Sequence, residues 1–375
     1  MKNPAHLGST SPRLPEVYII ILNWNGWSDT IECLESVFRL DYANFSVVVC
    51  DNDSSDGSME QIRRWAEGDV RASCANPALQ SMTMPPVTKP IPYRTLDTPS
   101  EAAAVPCNEM LLLIQTGGNL GFAGGNNVGL RYALAQQDCD FVWLLNNDTV
   151  VDPNALLAMV ERMQQGSDAG ICGSTLMYYH EPRAVQALGG SVYNRWTARG
   201  GHLGAELDCS RTPSREWVES RLEYVVGASM LVRRQFIEQV GLMSEAYFLY
   251  FEEIDWATRG KGMFALAYAP NSVVYHKEGA SIGTARRAAL QSTTTEYYAT
   301  RNRILFTMRF YPFALPSVAA AICVSVVHRL IHGRIENAFV VLRSCFDLAC
   351  GFSKRPAVSA IPGKAQTPQH GRESA

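Results

Sequence analysis

The chain has 375 residues, enough for one large domain or two, and 47% hydrophobic with 18% charged residues is an ordinary globular composition. A formal net charge of −3 gives no global electrostatic reason to expect nucleic acid as a partner. The ten cysteines form no CxxC pair and no metal-like Cys/His spacing, so a zinc or dithiol motif is excluded and a reducing, cytoplasmic setting fits.

Residues 1–16 are polar, contain proline and lack an apolar h-region, and read as a disordered lead-in without a signal peptide. Residues 17–22 (VYIIIL) predict a first buried strand that ends in the polar turn Asn23-Trp24-Asn25-Gly26. Ser28 or Asp29 can cap a helix to about residue 40, with Ile31, Leu34, Val37 and Phe38 on one face. A second strand, 45–50 (FSVVVC), breaks at the octet 51–58 (DNDSSDGS), and the pair makes a βαβ unit. A carboxylate at that strand tip is placed to accept hydrogen bonds from a ribose or a base. An acidic, Ser/Gly-rich octet is more commonly a solvated turn. Residues 67–108 carry Pro77, Pro85, Pro86, Pro90, Pro92, Pro99 and Pro106 and read as a poorly ordered surface insertion with no function of its own.

A third strand, 110–115 (MLLLIQ), leads into a glycine-rich loop, 117–127 (GGNLGFAGGNN), and then a helix to about residue 136. Glycines before a helix let backbone N–H groups approach an anion, which the helix N-terminus favours. The loop lacks the P-loop Lys-Ser/Thr and follows the third strand rather than the first, which argues against a dinucleotide fold.

Residues 141–145 (FVWLL) predict a strand buried on both faces, ending in Asn146-Asn147-Asp148, with Asp152 shortly after. Two readings stand open. Oxygen ligands at the carboxyl edge of an α/β sheet suit a hard divalent cation that also holds a diphosphate. Alternatively Asn-Asn-Asp is turn chemistry and Asp152 caps a helix starting at Pro153.

A strand over 169–177 follows, then an irregular, pocket-lining segment, 180–220, with Gly189-Gly190 and Gly200-Gly201. Small residues within 222–232 allow a ligand close to the backbone, and a helix over 232–240 ends at Gly241. In 247–259 (YFLYFEEIDWATR), Glu252, Glu253 and Asp255 follow an aromatic wall. An acid beside bulky apolar surface has a raised pKa, which suits a general base; the same acids also suit a helix N-terminus. A strand over 263–268 and another over 273–275 bring His276 to the same sheet edge.

From about residue 296 the chain turns helical. Residues 310–327 are almost wholly apolar, contain Pro312 and Pro316, and are short for a 30 Å hydrocarbon core. Arg301, Arg303, Arg309, Arg329 and Arg334 flank them, and a second apolar segment, 337–352, includes Arg343 and Asp347. Basic flanks around apolar helices point to a region peripheral to the inner face of the cytoplasmic membrane; a helical pair capping the core at a dimer interface is the alternative. The tail from 354 is expected to be disordered.

Five strand-end motifs together resemble inverting family 2 glycosyltransferases of GT-A fold, especially the rhamnosyltransferase-like branch. They are ILNWNG (21–26), VVVCDNDSSDGS (47–58), NLGFAGGNNVG (119–129), LLNND (144–148) and YFEEIDWATR (250–259). The resemblance implies an α/β GT-A fold, a Rossmann-like mixed, mainly parallel sheet with flanking helices, over 17–295, with a C-terminal helical extension over 296–353. It implies that Asn23 and Asn25 line the donor nucleotide, that Asp51 and Asn52, with Asp53 beside them, meet base and ribose, and that Asn119, Gly121, Gly124, Gly125, Asn126 and Asn127 meet the sugar-diphosphate. Asn146-Asn147-Asp148 would be the DxD-type motif with Asn in its first position. Asp148, with His276 of YHKEGAS, would hold Mg2+ or Mn2+. Glu253 falls where the family has its catalytic base, and Glu252 or Asp255 could share that role.

The implied activity moves a sugar, L-rhamnose from dTDP-rhamnose, from a nucleotide-diphosphate donor to a hydroxyl of a saccharide or lipid-linked glycan acceptor in cell-surface polysaccharide synthesis. The competing readings are a nucleotidyltransferase, a Rossmann oxidoreductase, which would need the missing G-x-G-x-x-G, and a catalytically degenerate scaffold at the membrane.

Overall fold

The structure, a computed structural model, describes residues 13–99, 109–278 and 293–351. Most of the expected lead-in, all of the tail from 354, residues 100–108 of the expected insertion and residues 279–281 of the YHKEGAS segment lie outside them.

The chain begins with β1 (Glu16–Asn23), α1 (Trp27–Val37), β2 (Phe45–Asp51) and α2 (Ser58–Glu67). Short helix α3 (Gln80–Thr83) and strand β3 (Tyr93–Leu96) precede β4 (Leu111–Gln115), α4 (Gly121–Ala135) and β5 (Cys139–Asn146). Next come β6 (Thr149–Val151), α5 (Ala155–Gln165), β7 (Ala169–Tyr178), β8 (Val185–Leu188), β9 (Gly190–Asn194) and β10 (Arg199–His202). Then follow α6 (Arg215–Glu219), β11 (Tyr224–Val225), β12 (Ser229–Arg233), α7 (Arg234–Val240), α8 (Glu252–Gly260) and β13 (Ala265–His276). The C-terminal helices are α9 (Thr293–Phe310), α10 (Leu315–Ile331) and α11 (Ile335–Ala349).

The main sheet runs β3-β4-β2-β1-β5-β12-β7-β13-β6, with β8 added beside β7. β1 pairs in parallel with β2 and β5, β2 with β4, and β4 with β3, while β12 is antiparallel to both β5 and β7. This is the mixed, mainly parallel sheet that the resemblance implies. The apolar runs form it because both faces are covered, as in α/β folds. Val17, Ile19 and Ile21 face α1, α2 and α5; Tyr18 and Ile20 face α4, α7 and Trp256 of α8.

Three expectations change. The proline-rich stretch is not a loose insertion: β3 forms the sheet edge, and Glu35 of α1 accepts a hydrogen bond from the Val87 N–H at 2.8 Å. The Tyr179 hydroxyl likewise accepts from the N–H groups of Ala75 and Asn76. Prolines punctuate this segment, yet its backbone finds partners in the core. The irregular 180–220 segment instead contains β8, β9, β10 and α6, and β10-β9-β11 make a small antiparallel sheet. The helix expected at Pro153 begins at Ala155, and Asp152 accepts from the Asn154 N–H at 2.9 Å in the preceding turn.

The C-terminal arginines also differ from expectation. Arg303 donates to the Thr197 carbonyl, Arg329 pairs with Glu296, Arg309 with Asp255 at 2.9 Å, and Arg301 donates to the Ala246 carbonyl at 3.0 Å. Arg301, Arg303 and Arg309 thus tie α9 to the core, and Arg329 ties α10 to α9. Pro312–Ile331, 20 residues with mean hydropathy 1.8, is long and apolar enough to cross a membrane by length and composition. Phe313, Val324, Val327 and Ile331 stay exposed there, as do Phe339 and Phe346 on α11.

Candidate active site

The carboxyl ends of β1, β2 and β5 and the end of β13 converge on a cavity of about 590 Å³, closed on its other sides by the small sheet, the 247–251 loop and the start of α8. Ligands of open α/β sheets bind at this edge.

On the sheet side the polar residues are saturated by one another. Asp51 accepts from Asn23 Nδ2 at 2.6 Å, from the Ser54 hydroxyl at 2.7 Å and N–H at 3.1 Å, and from Gln115 Nε2 at 3.0 Å. Asn23 Oδ1 in turn accepts from the Thr30 hydroxyl at 2.8 Å. Asn23 and Asp51 are fully buried and form a floor beneath the cavity rather than its lining. Asn25 accepts from the Ser55 N–H at 2.7 Å, and Asp53 is exposed with a left-handed backbone. Neither lines the cavity. Asn52 does, its amide donating to Asn119 Oδ1 at 3.0 Å while its Oδ1 accepts from the Leu120 N–H at 3.0 Å.

The glycine-rich stretch divides. Asn119 and Gly121 line the cavity, but α4 already begins at Gly121. Gly124, Gly125, Asn126 and Asn127 lie within its first turns, buried, away from the cavity. A Cβ at Gly125 would fall 2.4 Å from Leu22, and one at Gly129 2.7 Å from Ile20, so these glycines let α4 lie against β1. Asn127 donates to the Met243 carbonyl at 2.9 Å and accepts from its N–H at 3.1 Å. None of these four residues lines the cavity; Gly125 packs on β1 and Asn127 on the backbone of Met243.

At the end of β5 the three polar residues diverge. Asn147 lines the cavity while its amide donates to the Thr30 hydroxyl at 3.1 Å. Asn146 and Asp148 turn to the cavity, and Asp148 Oδ1 lies 3.2 Å from His276 Nε2, with Asn146 Nδ2 at 3.5 Å from the same nitrogen. His276 Nδ1 meets Gln186 Oε1 at 2.9 Å, which fixes the ring and turns Nε2 toward Asp148. Burial depresses the His276 pKa, but the Asp148 carboxylate more than offsets it and the net shift is upward. A carboxylate and an imidazole so oriented fit a divalent cation whose remaining ligands come from phosphate and water. Among the described residues no cluster of three or more His, Cys, Asp or Glu side chains suits a metal.

Across the cavity stand Glu252 and Glu253 at the N-terminus of α8. Burial and then the neighbouring Glu253 push the Glu252 carboxyl well above the usual range, and Glu252 Oε2 has no hydrogen-bond partner among the described residues. Burial also raises Glu253, partly countered by its own N–H and that of Gly227. A Cβ at Gly227 would fall 2.7 Å from Glu253 Oε1, so a larger residue there would displace the Glu253 carboxylate. Asp255 is placed elsewhere: buried, it pairs with Arg259 at 2.6 Å and Arg309 at 2.9 Å and accepts from the Tyr247 hydroxyl at 2.9 Å. Its oxygens are taken by internal partners, and it does not line the cavity with Glu252 and Glu253.

Sequence reasoning missed Gln186, His202, Tyr193 and Tyr224, all of which line the cavity. Gln186 had a signal: it is the one polar residue in the buried strand Val185–Leu188. His202 Nδ1 meets the Ser191 hydroxyl at 2.8 Å.

The family model described as glycosyl transferase family 2 matches residues 18–74 and 100–240. The chain is 27% identical over 148 residues to a low-salt glycan biosynthesis hexosyltransferase of Haloferax volcanii, covering 40% of this chain and 45% of that one. It is 27% identical over 204 residues to an N-acetylglucosaminyl-diphospho-decaprenol L-rhamnosyltransferase of Mycobacterium tuberculosis, covering 48% and 63%. The matches thus span less than two thirds of either relative's own length. Among solved structures, GalNAc-T7 with UDP, GalNAc and Mn2+ superposes with a TM-score of 0.50 at 13% identity, over 78% of this chain and 48% of that one. That likeness concerns the fold alone, which is GT-A.

Proposed function

Since this chain belongs to glycosyl transferase family 2, we propose that it is an inverting glycosyltransferase with a nucleoside-diphosphate sugar donor and a glycan acceptor hydroxyl. The observation that carries the reading is the placement of the Glu252–Glu253 pair and the Asp148–His276 pair in one cavity at the carboxyl edge of the sheet. Asn52, Asn119 and Gly121 hold the donor on the sheet side, over the Asn23–Asp51 floor. A divalent cation, Mg2+ or Mn2+, held by Asp148 and His276 supplies positive charge to the departing diphosphate when bound. Glu253 takes the proton from the acceptor hydroxyl as that oxygen attacks the anomeric carbon from the opposite face. The bond to the diphosphate breaks in the same displacement, configuration inverts, and no enzyme nucleophile is required.

The donor we favour is dTDP-rhamnose and the acceptor a lipid-linked saccharide of cell-surface polysaccharide synthesis, supported by the motifs and by the mycobacterial relative. The core over 17–295 carries the reaction. The extension over 296–353 rests on the cytoplasmic face of the membrane through its exposed Val327, Ile331, Phe339 and Phe346.

A panel of nucleotide sugars, with and without chelator, tests this by diphosphate release and product configuration. Silence with every donor sinks the transferase in favour of a degenerate scaffold, retention of configuration sinks the single displacement, and full turnover in chelator removes the metal. Failure to sediment with phospholipid vesicles ends the membrane assignment.

A further inference from the structure

We propose that Asn302 is a positioning residue for the acid pair, through which the C-terminal helix α9 becomes part of the active site. The inference rests on the reading of Glu253 as the base.

The loop leading into α8 is held in an unfavourable backbone. Phe248, Tyr250 and Phe251 have φ of 65°, 67° and 76°, left-handed values that bulky L-residues rarely adopt and that persist only where surroundings impose them. Phe251 is the residue immediately before Glu252 and caps α8, so its conformation sets the direction in which both glutamates leave the helix start. The Phe248 carbonyl also accepts from the Phe122 N–H at 2.7 Å, so the loop links the donor side of the cavity to the acids.

One side chain holds this loop. Asn302 is buried, and the two hydrogens of its Nδ2 are shared among the carbonyls of Tyr247 at 2.8 Å, Leu249 at 2.7 Å and Tyr250 at 3.0 Å. Its Oδ1 accepts from Arg301 Nη1 at 2.7 Å, which leaves the amide only one orientation, with Nδ2 to the loop. The same face of α9 supplies Tyr298, stacked on Phe248 at 4.9 Å, and Phe306, 5.6 Å from Phe251. Residues 298, 302 and 306 are spaced by four, a single helical stripe laid along the loop. Within it, Asn302 is the residue that donates to the loop carbonyls; that of Tyr247 also accepts from the Leu249 N–H at 2.8 Å.

The test compares Asn302→Ala and Asn302→Asp with the parent by steady-state kinetics and by amide hydrogen exchange. A displaced base costs turnover more than binding, so kcat should fall about 100-fold with donor KM within about threefold. Exchange at residues 248–253 should rise at least about tenfold while β1 and β5 stay near parent rates. Arg301→Gln, which retains the amide but frees its orientation, should lose a smaller factor, about three to ten. The proposal is overturned if kcat and loop exchange both stay near parent values, if kcat falls with loop exchange unchanged, or if exchange rises throughout the sheet. A parent protein inactive with every donor refutes the base assignment instead, and the exchange comparison alone then decides the positioning.

Discussion

Asp51 and Glu252 are both buried carboxylates beside the same cavity, yet Asp51 accepts four hydrogen bonds while Glu252 leaves Oε2 without a partner among the described residues. Their surroundings differ in the same sense. The sheet-side polar groups close on one another through Asn23, Ser54, Thr30 and Gln115. The acid side sits on a left-handed loop, with two adjacent carboxyls whose burial favours the protonated form. A saturated network fixes geometry and has nothing left to react; an unsaturated buried acid retains capacity for a substrate proton. Under the proposed function the sheet side acts as a template for the donor and the acid side supplies the proton acceptor.

The contrast is broken most directly at Glu253. Glu253→Gln should reduce kcat by about 10²- to 10⁴-fold, the usual contribution of a general base, while nucleotide affinity measured calorimetrically changes little. Turnover at the parent rate would transfer the base role away from this residue. A loss of nucleotide affinity comparable to the loss of rate would mean that the acid side also holds the donor.

The pH profile sharpens the same point with a smaller effect. Because burial raises Glu253, the base becomes protonated at a pH above the ordinary carboxyl value of 4.5, and kcat/KM should fall as pH drops through that raised value. Glu252, raised further by burial and by Glu253, holds its proton longest as pH rises. Glu252→Gln keeps a neutral side chain there and should leave the acid limb in place; a limb that moves to lower pH would show that Glu252 is ionised in the working enzyme. Linkage gives a parallel sign for stability. A folded pKa above the unfolded one means the native state binds more protons, so the pair's contribution is present at low pH and lost as pH rises through the folded values. Glu252→Gln should flatten that part of the pH dependence of the melting temperature.

The template side was the more legible of the two in sequence, because parallel strands buried on both faces leave continuous apolar runs whose ends mark the site edge. FVWLL followed by Asn146-Asn147-Asp148 located the cavity correctly, and the Glu252–Glu253 pair stood out after its aromatic wall. Helix packing was not legible: GFAGGNNVG looks the same whether its glycines approach a phosphate or, as Gly125 and Gly129 do, Leu22 and Ile20 of β1, far earlier in the chain. Asp255 was half legible: Arg259 stands four residues on in the same helix, but its second partner, Arg309, comes from α9. The clamp on the acid loop was hidden for the same reason: Tyr298, Asn302 and Phe306 become a stripe only once α9 is known to lie on residues 247–251. Local pattern reports burial and punctuation, while long-range pairing of polar groups has no period to read.

The smallest expected effect tests the template side. Asp51→Asn replaces an acceptor of four hydrogen bonds by a group that must present donors to Asn23 Nδ2, the Ser54 N–H or Gln115 Nε2, so at least one buried donor loses its partner. The cost should be about 1–3 kcal/mol of folding stability, read from denaturant midpoints, with kcat reduced far less than in Glu253→Gln and donor KM raised only modestly. If stability is instead unchanged while donor KM rises by about two orders of magnitude, equivalent to about 2.7 kcal/mol, Asp51 must leave its internal partners to bind the nucleotide directly. The floor would then be an induced site rather than a preformed template, and both sides of the cavity would work by uncovering a buried carboxylate.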